Sequence, residues 1–295
     1  MSPPDPQPLR FHEDPILFRE ALNFTAAETG FASRLIEKDY FCTVLLRHLT
    51  FAGGLVFKGG TCLAKVHASF YRLSEDLDFV ISTPVDAGRG ERSRSVSPAK
   101  EAVSKIAERL AGLRVTRPLT GSRESRHYAA TVGYMSALGR SEETIKIEVS
   151  LREPLRRPSM LGEARTLLLS PLTGEPWVPA VPVPCLTHEE AMAEKLRAAL
   201  SRRDVAIRDF FDVDHAVRRH GLRLDDRELI ALVREKLSVP PSPPVDVSPG
   251  RRASLTAQVE AQLRPVLREQ DFVEFDLGRA FEAIAGLAAM LSSVR

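Results

Sequence analysis

The chain has 295 residues, of which 43% are hydrophobic and 27% are charged, so it is long enough for one large or two modest globular domains. A formal net charge of +2 excludes an overall electrostatic attraction to nucleic acid, although 41 Lys and Arg leave room for a local basic surface. Three scattered cysteines form neither a disulfide framework nor a zinc-ligand spacing. No signal peptide and no apolar run of about 18 residues is visible, so we expect a cytoplasmic protein without a membrane span.

In chain order, the first half alternates helices and strands after a proline-rich segment, residues 1–15, that we expect to be a flexible lead-in. Helical spacing of apolar residues predicts helices, and alternation predicts strands. The expected elements are a helix Phe31–Leu49, a strand Leu55–Lys58, a helix Thr61–Tyr71 and a strand Leu73–Ile81.

A polar loop is expected next, at about Thr83–Ser97, and its arginines could reach RNA phosphates or simply be solvated. We then expect a helix Ala99–Leu113, strands His127–Ala137 and Thr144–Leu151, and an irregular proline-rich stretch Pro154–Pro184.

The last third is predicted to be helical. Thr187 and Glu190 form a T-x-x-E capping box that opens a helix to about Leu200. Further helices are expected at Ile207–Arg219, Asp225–Leu237, Ala253–Glu269 and Leu277–Leu291, with a loop at 240–250 and Pro265 shortening the fourth helix. The pattern therefore predicts an α+β domain over residues 16–186 and an all-α domain over residues 187–295.

Gly59, Gly60 and Thr61 lie at the predicted strand-to-helix turn. Glycine permits unusual backbone angles and lets a phosphate approach closely, while Thr61 could cap the following helix. A tight structural turn would explain two glycines equally well. Neither a P-loop nor a G-x-G-x-x-G pattern is present.

Asp76 and Asp78 follow the glycine turn and indicate what chemistry it could support. On a strand they would share one face, while apolar neighbours fill the other. Aspartate is rare in strands and two like charges repel, so the pair suggests a bound cation such as Mg²⁺. An exposed strand face is the alternative, and it explains two aspartates less well than one.

Glu148 offers a third carboxylate if its strand lies beside the strand of the aspartates. Three carboxylates could then hold one or two metal ions for attack on phosphorus. The alternative is a solvated Glu148 paired with Lys146.

In the helical part, Lys195 could neutralise a triphosphate and Asp209 could orient a base or nucleophile. Asp209 and Asp212 fall on one helical face. Spacing alone is equally compatible with ordinary surface charges.

The run FKGGTCLAKVHASFYRLSEDLDFVI, Phe57–Ile81, resembles the first two motifs of the AbiEii-type nucleotidyltransferases. These are toxins of type IV toxin–antitoxin and abortive-infection systems, including MenT toxins, and belong to the DNA polymerase β-like superfamily. KIEVS and EKLRAALSRRDVAIRDFFDV resemble the later motifs, and the similarity extends over most of residues 33–217. The last 75 or so residues carry no recognised motif.

This resemblance implies an NTP-dependent nucleotidyltransferase with Mg²⁺ or Mn²⁺, transferring NMP to RNA, with the tRNA 3′ end as the expected acceptor and a cognate antitoxin as a partner. It implies that Asp76, Asp78 and Glu148 bind metal, that Lys195 and Asp209 assist catalysis, and that a second set binds nucleotide: Lys58, Gly59, Gly60, Thr61 and Ser74. Transfer to a protein or small molecule, and a non-catalytic nucleotide-binding protein of the same fold, remain alternatives.

Overall fold

The computed structural model describes residues 8–139, 141–240 and 242–293, which separate into two compact units with the division after Leu186. The first unit contains the β-sheet, and the second is helical. The predicted α+β class is therefore confirmed. Within the described residues, every helix is too short or too polar to cross a bilayer.

The first unit opens with two long helices, α1 (Pro15–Thr29) and α2 (Ser33–Leu49). The sequence analysis missed α1, although its local signals are clear. The Asp14 side chain accepts hydrogen bonds from two backbone N–H groups of the first turn, and Pro15 occupies a position whose N–H would be unpaired anyway. Gly30, with φ of 76°, ends the helix in the left-handed conformation.

The predicted flexible lead-in is wrong for residues 8–15, whereas residues 1–7 lie outside the described part of the chain. Leu9 is buried, and His12 holds the segment in place. Its Nδ1 lies 2.8 Å from the Tyr40 hydroxyl and its Nε2 lies 2.9 Å from the Ala111 carbonyl. The proline content of the segment does not indicate this docking, because the docking depends on individual side chains such as Leu9 and His12.

Across the described residues the strands form one seven-stranded sheet in the order β3-β4-β5-β2-β1-β7-β6. Strand β2 runs parallel to β5 and antiparallel to β1, and β1 runs parallel to β7. The remaining neighbours are antiparallel, which makes the sheet mixed. The strands are β1 (Val56–Lys58), β2 (Leu77–Val80), β3 (Leu113–Ser122), β4 (His127–Met135), β5 (Glu142–Ser150), β6 (Met160–Ala164) and β7 (Val181–Cys185).

Two stretches of the sheet differ from the prediction. Strand β3 was missed because only two of its side chains are buried and the rest are exposed or half-buried. The stretch predicted as irregular contains β6 and β7. In β7, Pro182 and Pro184 lie on one face and alternate with buried residues on the other. Proline content is therefore a poor guide to irregularity here.

The predicted polar loop is also partly wrong, since Arg89–Ser95 forms helix α4. Arg92 is buried and donates to the Val85 carbonyl at 2.9 Å, so this arginine is unsuited to reaching RNA. The helix predicted after it divides into α5 (Ser97–Ser104) and α6 (Ile106–Arg109) before β3 begins.

The second unit contains helices on both sides of the predicted loop. Thr187 caps the first helix by accepting from the Glu190 N–H, as the capping box predicts, but the Glu190 carboxylate pairs with buried Lys236 at 2.6 Å. The predicted fourth helix is interrupted by a wider turn before Pro265. The helices are α7 (His188–Ser201), α8 (Ile207–Arg219), α9 (Arg227–Leu237), α10 (Pro249–Thr256), α11 (Glu269–Glu274) and α12 (Leu277–Ser293).

Candidate functional site

The glycine turn follows β1 directly and opens the short helix α3 (Gly59–Cys62). Gly59 has φ of 77°, a conformation that side chains strongly disfavour. A Cβ on Gly59 would lie 2.9 Å from the Cβ and Cγ of Asp78 and closer still to its Oδ2. Glycine is required there twice, for the backbone angle and for the close approach of the Asp78 carboxylate.

The expected helix Thr61–Tyr71 is displaced and shortened. It begins at Gly59, continues as a wider turn over Leu63–His67, and stops before Ser69 and Phe70, which are left-handed. Thr61 does not cap it, because Thr61 lies inside α3 and its buried hydroxyl donates to the Asp76 carbonyl. That hydrogen bond fastens the glycine turn to the segment that carries the aspartates.

Gly60 is bordered by two polar side chains. A Cβ placed on it would lie 3.2 Å from the Ser74 Oγ and equally close to the Arg72 guanidinium carbon. Arg72 is buried and donates to the Leu73 carbonyl at 3.2 Å. Sequence reasoning did not single out Arg72, although its position just before Ser74 could have drawn notice.

Asp76 and Asp78 are both half-buried, while the intervening Leu77 is fully buried. Strand β2 begins at Leu77, so Asp76 immediately precedes it and Asp78 lies within it. The alternation predicted from the sequence is present, and Leu77 and Phe79 supply the apolar side.

Glu148 lies directly beside Asp78, because β2 and β5 pair in parallel with these two residues in register. Side chains opposite each other in neighbouring strands project to the same face. On the other side of β2, Lys58 of β1 is in register with Asp78. The sheet therefore brings Lys58, Asp78 and Glu148 into one row at the glycine turn.

Two basic side chains contact Glu148. The Lys146 Nζ lies 2.6 Å and the His127 Nε2 3.2 Å from its Oε1. The hydrogen bond from His127, with help from Lys146 and against the effect of burial, lowers the pKa of Glu148 to about 2. The Glu148 carboxylate is therefore ionised at neutral pH, and the Lys146 pairing considered from the sequence is present.

All three carboxylates affect the pKa of Lys146. Its pKa is raised chiefly by the hydrogen bond to Glu148, with further contributions from Asp76 and Asp78. His127 had no sequence signal as a site residue, because only the pairing of β4 with β5 places it near Glu148.

The carboxylates are near neighbours but are not tightly gathered. Among the described residues, the group of His, Cys, Asp or Glu side chains whose ligand atoms all lie within 4.8 Å of one another is instead Cys62, His67 and Cys185. An all-oxygen donor set beside the glycine turn nevertheless fits the ligand preference of Mg²⁺, which binds through one or two carboxylates plus substrate phosphates.

Lys195, Asp209 and Asp212 form a compact ion-pair group within the helical unit. The Lys195 Nζ lies 2.8 Å from the Asp209 Oδ1 and 2.9 Å from the Asp212 Oδ2. Both aspartates are buried, and Arg202 adds a weaker contact to Asp209 at 3.4 Å. These residues are therefore not the ordinary surface charges that spacing alone allowed.

Comparisons with known proteins found one matching family model and several similar solved structures. The sequence model of the family described as "Nucleotidyl transferase AbiEii toxin, Type IV TA system" matches residues 43–286. The structure of JHP933 from Helicobacter pylori is similar, with a TM-score of 0.52, 16% identity, and coverage of 88% of this chain and 93% of that one. MenT4, a nucleotidyltransferase toxin from Mycobacterium tuberculosis H37Rv, gives a TM-score of 0.41, 19% identity, and coverage of 94% and 99%.

A search of curated protein sequences found no match. The family match spans well over half of the chain and includes the glycine turn, the aspartates, Glu148 and the Lys195 group. The chain therefore belongs to the AbiEii nucleotidyltransferase toxin family of type IV toxin–antitoxin systems, and it is a nucleotidyltransferase.

Proposed function

We propose that this enzyme transfers NMP from an NTP to an RNA acceptor, the tRNA 3′ end, and so acts as the toxin of a toxin–antitoxin pair. The observation that carries the transfer chemistry is the register of Asp78 with Glu148 next to the glycine turn. The RNA acceptor is proposed from the resemblance to toxins of this family, and a cognate antitoxin is the partner that a type IV toxin–antitoxin family implies. NTPs and tRNA are cytoplasmic, so we propose the cytoplasm as the site of action.

The proposed nucleotide-binding residues surround the glycine turn. Without side chains, Gly59 and Gly60 let triphosphate oxygens approach backbone N–H groups closely. The Ser74 hydroxyl lies near Gly60, and Lys58 supplies a positive charge in the same row as Asp78. Thr61 contributes by fixing the turn to the Asp76 carbonyl.

Asp76, Asp78 and Glu148 are the proposed ligands for Mg²⁺ or Mn²⁺. A bound divalent cation would supply charge neutralisation on the phosphates and a lower pKa for the attacking hydroxyl. For Glu148 to serve as a ligand, its carboxylate must be shared with Lys146 or released by it. Its ionised state suits it to either role.

Lys195 is proposed to offset negative charge that develops during phosphoryl transfer. Asp209 and Asp212 both contact its ammonium, so we assign Asp209 a positioning role. The domains proposed for these roles are a nucleotidyltransferase core, residues 16–186, and a helical domain, residues 187–295, with the loop at 240–250.

The test uses NTPs labelled at the α-phosphate, incubated with the full chain and total RNA in the presence of Mg²⁺. Asp78→Asn removes a proposed ligand, and Asp86→Asn removes an exposed acid of the same unit as a matched control. We expect label on RNA with wild type and Asp86→Asn, and at least a roughly hundredfold loss with Asp78→Asn.

Each other outcome contradicts part of the proposal. Label on protein alone would replace the RNA acceptor with a protein one. Nucleotide binding without any transfer would support a non-catalytic binding protein. Equal activity in Asp78→Asn and wild type would remove the carboxylates from the mechanism.

A further inference from the structure

A second group of potential ligands lies in the sheet unit, apart from the three carboxylates. The ligand atoms of Cys62, His67 and Cys185 all lie within 4.8 Å of one another, and we name this group the Cys–His–Cys cluster. Cys62 ends α3, His67 ends the wider turn that follows, and Cys185 ends β7. The sequence analysis found no zinc-ligand spacing because Cys185 lies far along the chain.

The fold fixes these three residues near one another. Cys185 is in register with Phe57 of β1, and the next residue, Leu186, donates its N–H to the Phe57 carbonyl at 3.0 Å. Strand β1 leads directly into α3, so the end of β7 is held close to Cys62. The cluster therefore rests on sheet pairing and not on a chance approach of loops.

The ring of His67 contacts a backbone carbonyl, as the ring of a metal-binding histidine commonly does. Its Nε2 lies 3.0 Å from the Leu186 carbonyl, which accepts only if Nε2 carries the proton. That tautomer leaves the lone pair on Nδ1. A histidine that donates one ring N–H to a backbone carbonyl and ligates through the other nitrogen is the common second-shell arrangement in metal sites.

The Cys185 sulfur lies close to the backbone of β6. A Cβ on Gly162, in β6, would lie 2.7 Å from the Cys185 Sγ and 2.6 Å from the Val66 Cγ1, so glycine is what allows this close approach. Cys62 and Cys185 are fully buried, whereas His67 is half-buried and gives the cluster an approach from the surface.

We propose that Cys62, His67 and Cys185 bind one Zn²⁺ ion, with a water molecule in the fourth position. Two sulfurs and one imidazole nitrogen form a donor set that Zn²⁺ favours over Mg²⁺. Ligand atoms in a tetrahedral zinc site are roughly 3.3–3.8 Å apart, so the side chains would close by no more than about 1.5 Å on binding. Both sulfurs would bind the ion as thiolates.

Such a site would join β7 to α3, and α3 begins with the glycine turn. Zinc would thus stabilise the glycine turn by linking α3 to β7, without taking part in the nucleotidyl transfer. Zinc binding at the Cys–His–Cys cluster depends neither on the identity of the acceptor nor on metal binding by the three carboxylates.

The experiment measures zinc in the purified full chain by elemental mass spectrometry and follows Co²⁺ binding through thiolate-to-cobalt absorption. The variants are His67→Gln and Cys185→Ser. Cys42→Ser is the matched control, because Cys42 is equally buried but lies outside the cluster. We expect one ion per chain in wild type and Cys42→Ser.

Loss of a ligand should weaken Zn²⁺ binding by more than the roughly tenfold to hundredfold that second-shell changes cost. If Cys185→Ser fails to fold, the partly exposed His67→Gln and a Zn²⁺-induced rise in the melting temperature of wild type still decide the question. The proposal is overturned if wild type binds neither ion, if both variants bind as wild type does, or if intact-mass analysis finds a Cys62–Cys185 disulfide in metal-free protein. None of these measurements uses NTP or RNA, so their failure is distinct from failure of the proposed transfer.

Discussion

Replacing Gly59 with alanine separates the two reasons for glycine at the turn. The left-handed backbone, with φ of 77°, costs a non-glycine residue about 1–2 kcal/mol. In addition, the new Cβ would lie 2.9 Å from the Asp78 Cβ and Cγ, whereas ordinary contact begins at 3.4 Å, so the Asp78 side chain must move by at least 0.5 Å (3.4 − 2.9). A shift of about 1 Å in a reacting group can cost on the order of a hundredfold in rate.

Gly54→Ala is the matched control. Gly54 has φ of 72°, and a Cβ there meets no atom within 4 Å. Urea unfolding should therefore show a loss of about 1–2 kcal/mol in Gly54→Ala and at least as large a loss in Gly59→Ala. Initial rates of label transfer should fall roughly tenfold to a hundredfold only in Gly59→Ala. Equal rates in the two variants would refute the reasoning that Gly59 makes room for the Asp78 carboxylate.

Three further predictions follow from charged groups. Lys65→Met leaves the buried Asp39 carboxylate without the ammonium that lies 2.6 Å away, so the free energy of unfolding measured in urea should fall by about 3–5 kcal/mol. In the double variant with Asp39→Asn, the loss should be smaller than the sum of the two single losses. Burial lowers the pKa of His215 to about 4, so below about pH 6.5 the unfolded state binds more protons than the folded state. The free energy of unfolding should therefore fall by roughly 1–3 kcal/mol between pH 6.5 and 4 in wild type, and by less in His215→Gln. Urea titrations at a series of pH values measure this difference. Under the proposed function, Lys146→Met removes the closer of the two contacts to the Glu148 carboxylate and leaves the one from His127. It should lower the Mg²⁺ concentration for half-maximal transfer at least about threefold, whereas an unchanged or higher value would argue against Glu148 as a ligand.

Local patterns predicted the parts of the fold in which side chains alternate or a helix end is capped. Leu77 and Phe79 mark β2 because period-two alternation follows directly from strand geometry. Thr187 marks the start of α7 because its hydroxyl satisfies a backbone donor of the first turn. Such signals need only residues that are close in the sequence.

Register and long-range contacts were beyond local patterns. The pairing of Asp78 with Glu148 depends on a parallel alignment of strands that are separated by two others in the chain. The approach of His127 to Glu148 and of Cys185 to Cys62 depends on the same sheet order. Most of strand β3 escaped prediction because it presents polar side chains to solvent, where apolar alternation carries little information.

The balance of charge at the three carboxylates supports the proposed cation. Asp76, Asp78 and Glu148 all raise the pKa of Lys146, yet Lys146 contacts Glu148 at 2.6 Å and carries one positive charge. His127 also contacts Glu148, and it adds charge only when protonated. Lys58, in register with Asp78, adds one more positive charge to this row. Under the proposed function, a divalent cation bound at the carboxylates would offset negative charge on both the phosphates and the carboxylates.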